Sequence, residues 1–196
     1  MNITIVNFKG GVGKSMIAHQ LITGFGYHGC EIDPYGSLSD RLPDQVDRVE
    51  IREKHLPSPD QATIFDFGGF DDVKLDQAVG YSDLVIIPFI PTLETIQGTV
   101  DTLVRVAPMN KPILLVPNMS QKENDIADAK FVFDETLGFE TEMFALPMSV
   151  ALQTAINENR SILELSQQGG IKAYAYRKSA GLIRDLHEKI REYAAL

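Results

Sequence analysis

The feature that most constrains this chain is a glycine-rich turn that directly follows its first apolar segment. Residues 3–6 form a short run dominated by β-branched side chains, which is typical of a buried strand. Three glycines within residues 10–13 then allow tight turns and a close approach of the backbone to a ligand. Residues 14–25 carry apolar side chains at helical spacing. A strand, a glycine-rich turn and a helix in this order are the context that a phosphate-binding loop requires.

The residues at the start of this helix have the chemistry that phosphate binding needs. The N–H groups of such a turn form an anion-binding nest, to which the helix dipole adds. Lys14 can reach the β- and γ-phosphates, and the Ser15 hydroxyl can ligate Mg²⁺. The standard motif G-x-x-x-x-G-K-[ST] is incomplete, because Phe8 stands where its first glycine would fall. Instead, Lys9 directly precedes the glycines, so that residues 9–15 are Lys-Gly-Gly-Val-Gly-Lys-Ser.

This deviant Walker A motif, K-G-G-x-G-K-[ST], resembles that of the ParA/MinD family of dimerising P-loop ATPases. The resemblance implies that ATP and Mg²⁺ are bound, and that Lys9 reaches across a nucleotide-sandwich dimer to the partner's phosphates. It also implies that Asn118, which ends a later strand, reads the adenine edge, and that the loop at 147–148 lies beside the base. The implied nucleotide-binding residues are Gly10, Gly11, Val12, Gly13, Lys14, Ser15, Met16, Asn118, Pro147 and Met148.

Two carboxylates follow predicted strands. Asp33 comes after a short strand at 30–32 and begins the segment Asp-Pro-Tyr-Gly-Ser-Leu-Ser, which resembles the family's switch segment with Tyr35 in place of the usual glutamine. Asp66 ends an apolar strand as in a Walker B motif, and Gly69 follows three residues later. The resemblance implies that Asp33 orients the attacking water and that Asp66 holds Mg²⁺ or its water shell. The implied catalytic residues are Lys9, Lys14 and Asp33, and the implied metal ligands are Ser15, Asp33 and Asp66.

Strands alternate with helices along the whole chain. This alternation predicts an α/β fold: a single-domain P-loop NTPase over residues 1–196, with a mostly parallel twisted sheet and helices on both faces. Later strands are predicted at 84–88, 113–118 and 143–147, and a short one near 46–51. Later helices are predicted at 71–79, 92–107, 121–137, 150–157, 161–166 and 171–196. The apolar face of the 92–107 helix is expected to contain Leu93, Ile96, Val100, Leu103, Val104 and Ala107.

Composition narrows the class of protein further. A chain of 196 residues with 44 % apolar content can bury one full core. The single cysteine, Cys30, excludes an internal disulfide framework and fits a reducing cytoplasm, and it argues against iron–sulfur relatives, which need cysteine pairs. No apolar run approaches the roughly 18 residues of a membrane span. Because the first core strand begins at once, we expect no signal peptide and no preceding DNA-binding domain.

Charge is distributed unevenly along this acidic chain. The net charge is −9, but from residue 172 onward six basic and three acidic residues give 6 − 3 = +3. The final helix has three interpretations: it packs on the sheet, it presents basic side chains to DNA, or it targets a membrane. Membrane-targeting helices carry a denser basic face than this one, so a membrane is not expected. The candidate DNA contacts are Lys172, Arg177, Lys178 and Arg184.

The function implied by the resemblance is a slow, partner-stimulated ATPase that forms a homodimer with ATP. The leading hypothesis is a ParA-like protein that segregates plasmid or chromosomal DNA, binds DNA non-specifically, and works with a small centromere-type DNA-binding adaptor. It would be cytoplasmic, and nucleoid-associated if it binds DNA. Three alternatives stay open: a MinD-like membrane or cargo positioning ATPase, a monomeric ligase related to dethiobiotin synthetase, and a nucleotide-dependent interaction module with weakened hydrolysis. Lys9 argues against the ligase.

Overall fold

A parallel sheet of eight strands forms the centre of the molecule. The structure is a computed structural model that describes residues 1–50, 52–120 and 122–193, without the side chain of Lys172. The strands are β1 (Ile3–Ile5), β2 (His28–Ile32), β3 (Val46–Arg48), β4 (Thr63–Phe67), β5 (Leu84–Phe89), β6 (Ile113–Ser120), β7 (Glu142–Met143) and β8 (Leu146–Pro147). They are ordered β3-β2-β4-β1-β5-β6-β7, with β8 paired to β6, and every pairing is parallel. Because parallel strands end at the same edge, the loops after β1, β2 and β4 meet there.

Helices cover both faces of this sheet, which confirms the predicted α/β fold class. The helices are α1 (Lys14–Phe25), α2 (Leu38–Arg41), α3 (Leu75–Tyr81), α4 (Leu93–Val106), α5 (Glu123–Leu137), α6 (Val150–Asn157), α7 (Ile162–Leu165) and α8 (Ile171–Tyr193), with a 3₁₀ turn at Ala107–Met109. One apolar core joins α1, α6, α7 and α8 to the sheet, and a second joins α3, α4 and α5 to its other face. None of the helices in the described ranges combines the length and apolarity that crossing a bilayer requires.

Several predicted element boundaries need correction. The strand predicted at 30–32 begins earlier, at His28, because β2 pairs with β4 from that residue and with β3 from Gly29. The strand predicted at 143–147 is divided into β7, which pairs with Leu114 and Leu115 of β6, and β8, which pairs with Asn118 and Ser120 farther along the same strand. The strand predicted near 46–51 ends at Arg48, and the helix predicted at 71–79 spans Leu75–Tyr81. Residue 51 and residues 194–196 of the predicted final helix lie outside the described residues.

The predicted apolar face of α4 is wrong at two positions. Leu93 and Val104 are 86 % and 58 % exposed. The residues that α4 buries include three threonines, Thr95, Thr99 and Thr102, at the helical spacing i, i+4 and i+7. A threonine can face a core when its hydroxyl has hydrogen-bond partners, and sequence hydropathy does not register that possibility.

The buried threonines of α4 hold the residues that follow β1. Asn7 is fully buried and its amide donates to the Thr99 hydroxyl at 2.9 Å and to the Pro88 carbonyl at 2.9 Å. The Phe8 backbone N–H donates to the Thr102 hydroxyl at 2.9 Å. Each of these two hydroxyls donates in turn to a carbonyl of its own helix four residues earlier. Helix α4 therefore fixes the entry to the glycine-rich turn.

We expect Thr99→Val to destabilise the protein by about 1–2 kcal/mol, because it keeps the side chain's shape but leaves a buried Asn7 N–H unpaired. Urea unfolding measures this change. The exchange Val104→Thr on the exposed side of the same helix serves as the control and should change stability by less than about 0.5 kcal/mol. Equal effects of the two exchanges would contradict a supporting role for Thr99.

Candidate nucleotide-binding site

The glycine-rich turn between β1 and α1 has the backbone geometry of an anion-binding nest. Gly11 and Gly13 adopt left-handed conformations with φ of 75° and 96°, which are unfavourable for residues other than glycine. Gly13 is the N-terminal cap of α1, and its carbonyl accepts the first helical hydrogen bond from Ile17 at 3.1 Å. The N–H groups of this turn and of the first turn of α1 are therefore placed as a phosphate site requires.

Lys14 closes the turn from inside. Its side chain is buried, and its ammonium donates to the carbonyls of Asn7 and Lys9, both at 3.0 Å. Burial lowers the pKa of Lys14, and the nearby carboxylates of Asp66 and Asp33 oppose that change. A partly desolvated ammonium on the inner side of the turn can attract the negative charge of a phosphate.

Asp66, at position four of β4, is a fully buried carboxylate without a hydrogen-bond partner for either oxygen among the described residues. Desolvation raises its pKa to about 7, although the proximity of the Ser15 hydroxyl and of the Lys14 charge lowers it in part. The Ser15 hydroxyl does not reach a hydrogen-bonding position on this carboxylate. Buried polar groups are nearly always satisfied in proteins, so the chemistry of these two oxygens fits a cationic ligand.

The residues around Asp66 fit Mg²⁺ bound together with a nucleotide. Within the described part of the chain, no group of three or more His, Cys, Asp or Glu side chains could hold a metal by itself. Mg²⁺ is usually held by one or two carboxylates together with substrate phosphates, and it retains several waters. Ser15 and Asp66 would hold the ion, which would supply charge neutralisation at the phosphates.

The loop after β4 lies directly against the glycine-rich turn. A Cβ atom at Gly69 would lie 2.8 Å from the Gly10 backbone nitrogen, so only glycine fits there. Asp33 at the end of β2 lies beside Gly68, whose added Cβ would be 3.2 Å from the Asp33 carboxyl carbon. Both predicted carboxylates, Asp33 and Asp66, are thus brought to the same edge as the turn.

A buried glutamate that the sequence analysis did not identify anchors the segment after Asp33. Glu31 accepts hydrogen bonds from the Leu38 N–H at 2.7 Å and from the Ser39 N–H and hydroxyl at 3.2 and 2.6 Å. Arg48 of β3 pairs with Glu31 at 3.2 Å and donates to the Gly36 carbonyl at 2.8 Å. The sequence does contain a signal for this role, since a charged residue inside a predicted buried strand needs partners.

The residues predicted to contact the base surround a cavity of about 230 Å³ beyond the first turn of α1. Asn118 is buried at its edge, and Met148 is 59 % exposed. The residues that line this cavity are Met16, Asn118, Met119, Pro147, Met148, Ser149, Val150, Leu152 and Gln153.

Lys9 has an exposed side chain that forms no salt bridge with the described residues.

The predicted DNA contacts lie on α8, which belongs to the helical layer that covers one face. Arg177, Lys178 and Arg184 are exposed and form no ion pair with the described residues, whereas the side chain of Lys172 lies outside the described part. Arg177 lies over the ring of Tyr174, 5.7 Å from its centroid. Lys178 borders a cavity of about 450 Å³ between the start of α6 and α8.

A glycine nest, a buried lysine and an unpaired carboxylate at the carboxyl edge of a parallel sheet define a P-loop nucleotide-binding protein. The sequence matches the CobQ/CobB/MinD/ParA nucleotide binding domain over residues 3–162, and the chain therefore belongs to that family. No curated protein matches it closely enough to be counted as a relative.

Solved structures share the fold at low sequence identity. A protein from Borrelia burgdorferi B31, described as a plasmid partition protein and bound to AMPPNP, is 17 % identical, with a TM-score of 0.64 over 96 % of this chain and 98 % of that one. The septum site-determining protein MinD with Mg-ADP from Pyrococcus horikoshii OT3 is 12 % identical, with a TM-score of 0.64 over 100 % and 99 %. The pNOB8 ParA structure is 16 % identical, with a TM-score of 0.65 over 97 % and 98 %.

The buried carboxylate predicts a pH-dependent stability without nucleotide. The unfolded chain loses the Asp66 proton near pH 3.8 and the folded chain near 7, so stability falls as pH rises between these values. Asp66→Asn removes this dependence. The stability of the variant relative to the parent protein should therefore be more favourable at pH 8 than at pH 5, by about 2–3 kcal/mol.

Urea unfolding at both pH values measures this difference, and the exposed Asp44→Asn serves as the matched control. His19, whose pKa burial lowers to about 4, also titrates in this range, but its contribution is common to both proteins and cancels. If the stability difference between Asp66→Asn and the parent protein were the same at pH 5 and pH 8, the raised pKa of Asp66 would be contradicted.

Proposed function

We propose that this protein binds ATP with Mg²⁺ and hydrolyses it to ADP and phosphate. Two buried charged groups beneath the glycine nest carry the proposal. They are the Lys14 ammonium and the Asp66 carboxylate, which has no hydrogen-bond partner among the described residues. A triphosphate would neutralise the first, and the metal would neutralise the second.

The proposed roles follow from this arrangement. The backbone of residues 10–14 cradles the phosphates, Ser15 and Asp66 hold the ion, and Asp33 orients the attacking water. Asp33 is suited to this role because its backbone is held in a turn, with its carboxylate accepting the Tyr35 N–H at 3.0 Å. Residues 147–148 border the base.

Lys9 is proposed to act in a second copy of the chain, in an ATP-dependent homodimer. Its backbone is fixed, since its N–H donates to Asn7 at 2.8 Å and its carbonyl accepts from Lys14. Its side chain is exposed, and so can stabilise phosphoryl charge in a facing subunit as an arginine finger does. Exposed apolar side chains follow β2, β4 and β5 at the same edge, as a protein contact would require. They are Tyr35, Phe70, Val73 and Leu93.

We expect Lys9→Ala to retain ATP binding but to lose hydrolysis by at least about a hundredfold, because its charge acts in the transition state. Calorimetry measures binding and phosphate release measures turnover, with the exposed Lys54→Ala as control. Sedimentation with ATP and with ADP tests the dimer. A monomer under both conditions, or intact hydrolysis in the Lys9 variant, would exclude this mechanism.

We further propose a ParA-like role, in which the ATP dimer binds DNA non-specifically and a small centromere-type DNA-binding adaptor stimulates hydrolysis during plasmid or chromosome segregation. Arg177, Lys178 and Arg184 form no ion pair with the part of the chain that the structure describes, which supports contact with phosphates on a chain that is otherwise acidic. The second candidate is a MinD-like membrane or cargo positioning role. It is favoured by Ile171 and Tyr174, which are 91 % and 73 % exposed beside these charges.

Charge reversal separates the two roles. The double variant Arg177→Glu/Lys178→Glu should weaken binding of the ATP form to arbitrary duplex DNA by about tenfold and reduce its salt dependence. The exposed pair Arg52→Glu/Lys54→Glu provides the matched control. Fluorescence anisotropy at several salt concentrations measures DNA binding, and flotation measures binding to anionic liposomes. Binding to liposomes without binding to DNA would favour the MinD-like role.

A further inference from the structure

Asn118 spans the gap between the end of β6 and the phosphate-binding turn. Its amide nitrogen donates to the Val12 carbonyl at 2.9 Å, across 106 positions of sequence. Its amide oxygen accepts the N–H of Met119 at 3.0 Å, in a residue with a left-handed backbone at φ 54°. The side chain is almost completely buried, with 1 % of its surface exposed. Each end of this amide therefore already makes one hydrogen bond within the protein.

The same amide lies directly over Gly13. A Cβ atom added at Gly13 would overlap the Asn118 amide nitrogen and lie 3.2 Å from its carbon. Gly13 and Val12 are the last residues of the turn before Lys14, so the amide contacts the backbone at the point where the turn becomes helix α1. A group that fixes this point also fixes the N–H groups aimed at the phosphates.

The cavity beside Asn118 offers a base mainly apolar contacts. Thioethers, proline and aliphatic side chains make up most of its wall, in Met16, Met119, Pro147, Met148, Val150 and Leu152. The hydroxyl of Ser149 in this wall is already engaged, since it pairs with Ser179 at 2.8 Å and accepts the Leu152 N–H at 3.3 Å. A purine bound there would be held chiefly by dispersion and burial.

We propose that Asn118 is a positioning residue for the phosphate-binding turn, and that its principal effect is on phosphate affinity and not on the recognition of adenine. The inference rests on the proposed function, because it requires that this turn bind phosphates. It differs from a base-reading role in one measurable respect. A residue that reads adenine does not affect a ligand that has no base.

Inorganic tripolyphosphate with Mg²⁺ is therefore the discriminating ligand. In Asn118→Ala we expect its dissociation constant and that of ATP to rise together by about tenfold, as for the loss of one buried hydrogen bond and its positioning. The ratio of ADP to GDP affinity should stay within about twofold of that of the parent protein. Isothermal calorimetry measures all four ligands.

Two further variants separate the phosphate and base contributions. Met148→Ala, which alters the wall of the base cavity and leaves the turn intact, should weaken ATP and ADP binding but leave tripolyphosphate binding unchanged. The exposed Asn124→Ala should change neither. Tripolyphosphate affinity in Asn118→Ala within about twofold of the parent value would overturn the proposal. If the parent protein bound neither ATP nor tripolyphosphate, the proposed function itself would fail.

Asn118→Asp provides a second test should the alanine variant not fold. It retains the acceptor for the Met119 N–H and the side-chain shape, but it cannot donate to Val12. Its binding is measured in high salt, where repulsion between its charge and the phosphates is screened. Hydrogen exchange at residues 10–15 of the nucleotide-free protein should be faster than in the parent protein. Parent-like exchange together with parent-like tripolyphosphate affinity would overturn the proposal.

Discussion

The structure depends on a buried ammonium group that is solvated by the protein's own backbone. Lys14 lies below the glycine-rich turn and donates to the carbonyls of Asn7 and Lys9, which closes the turn around it. Burial of a cation is costly unless it is paired, and here two carbonyls and two nearby carboxylates offset that cost. The turn is thereby held in a form to which an anion can bind without a large rearrangement.

The cost of burying the nearby Asp66 carboxylate, in contrast, is not offset by hydrogen bonds within the described residues. Asp66 is buried without a hydrogen-bond partner among the described residues, and its raised pKa is the measure of that cost. A bound metal would remove this cost, and it would therefore stabilise the metal- and nucleotide-bound form of the folded protein. Gly69, which follows Asp66 by three residues, lies against the backbone of Gly10. The loop that follows Asp66 is therefore in direct contact with the turn.

Much of the site was predictable from local sequence, and the errors have a common physical cause. The turn, both carboxylates and the strand–helix alternation each depend on residues adjacent in sequence. Hydropathy predicts that α4 buries Leu93 and Val104, whereas the helix buries Thr99 and Thr102. Those threonines are buried because they accept hydrogen bonds from the residues entering the turn, and no property of α4 alone reveals such partners.

The sequence by itself determined the chemistry of this protein: a glycine nest, a lysine that precedes it and another that follows it, and a parallel sheet that places aspartates at the same edge. Tertiary structure alone decided what holds that chemistry in place. Asn7 meets Thr99 across 92 positions, and Asn118 meets Val12 across 106. Hydrogen bonds between such distant residues leave no periodic pattern in a sequence, because either partner would look the same in a solvent-exposed loop.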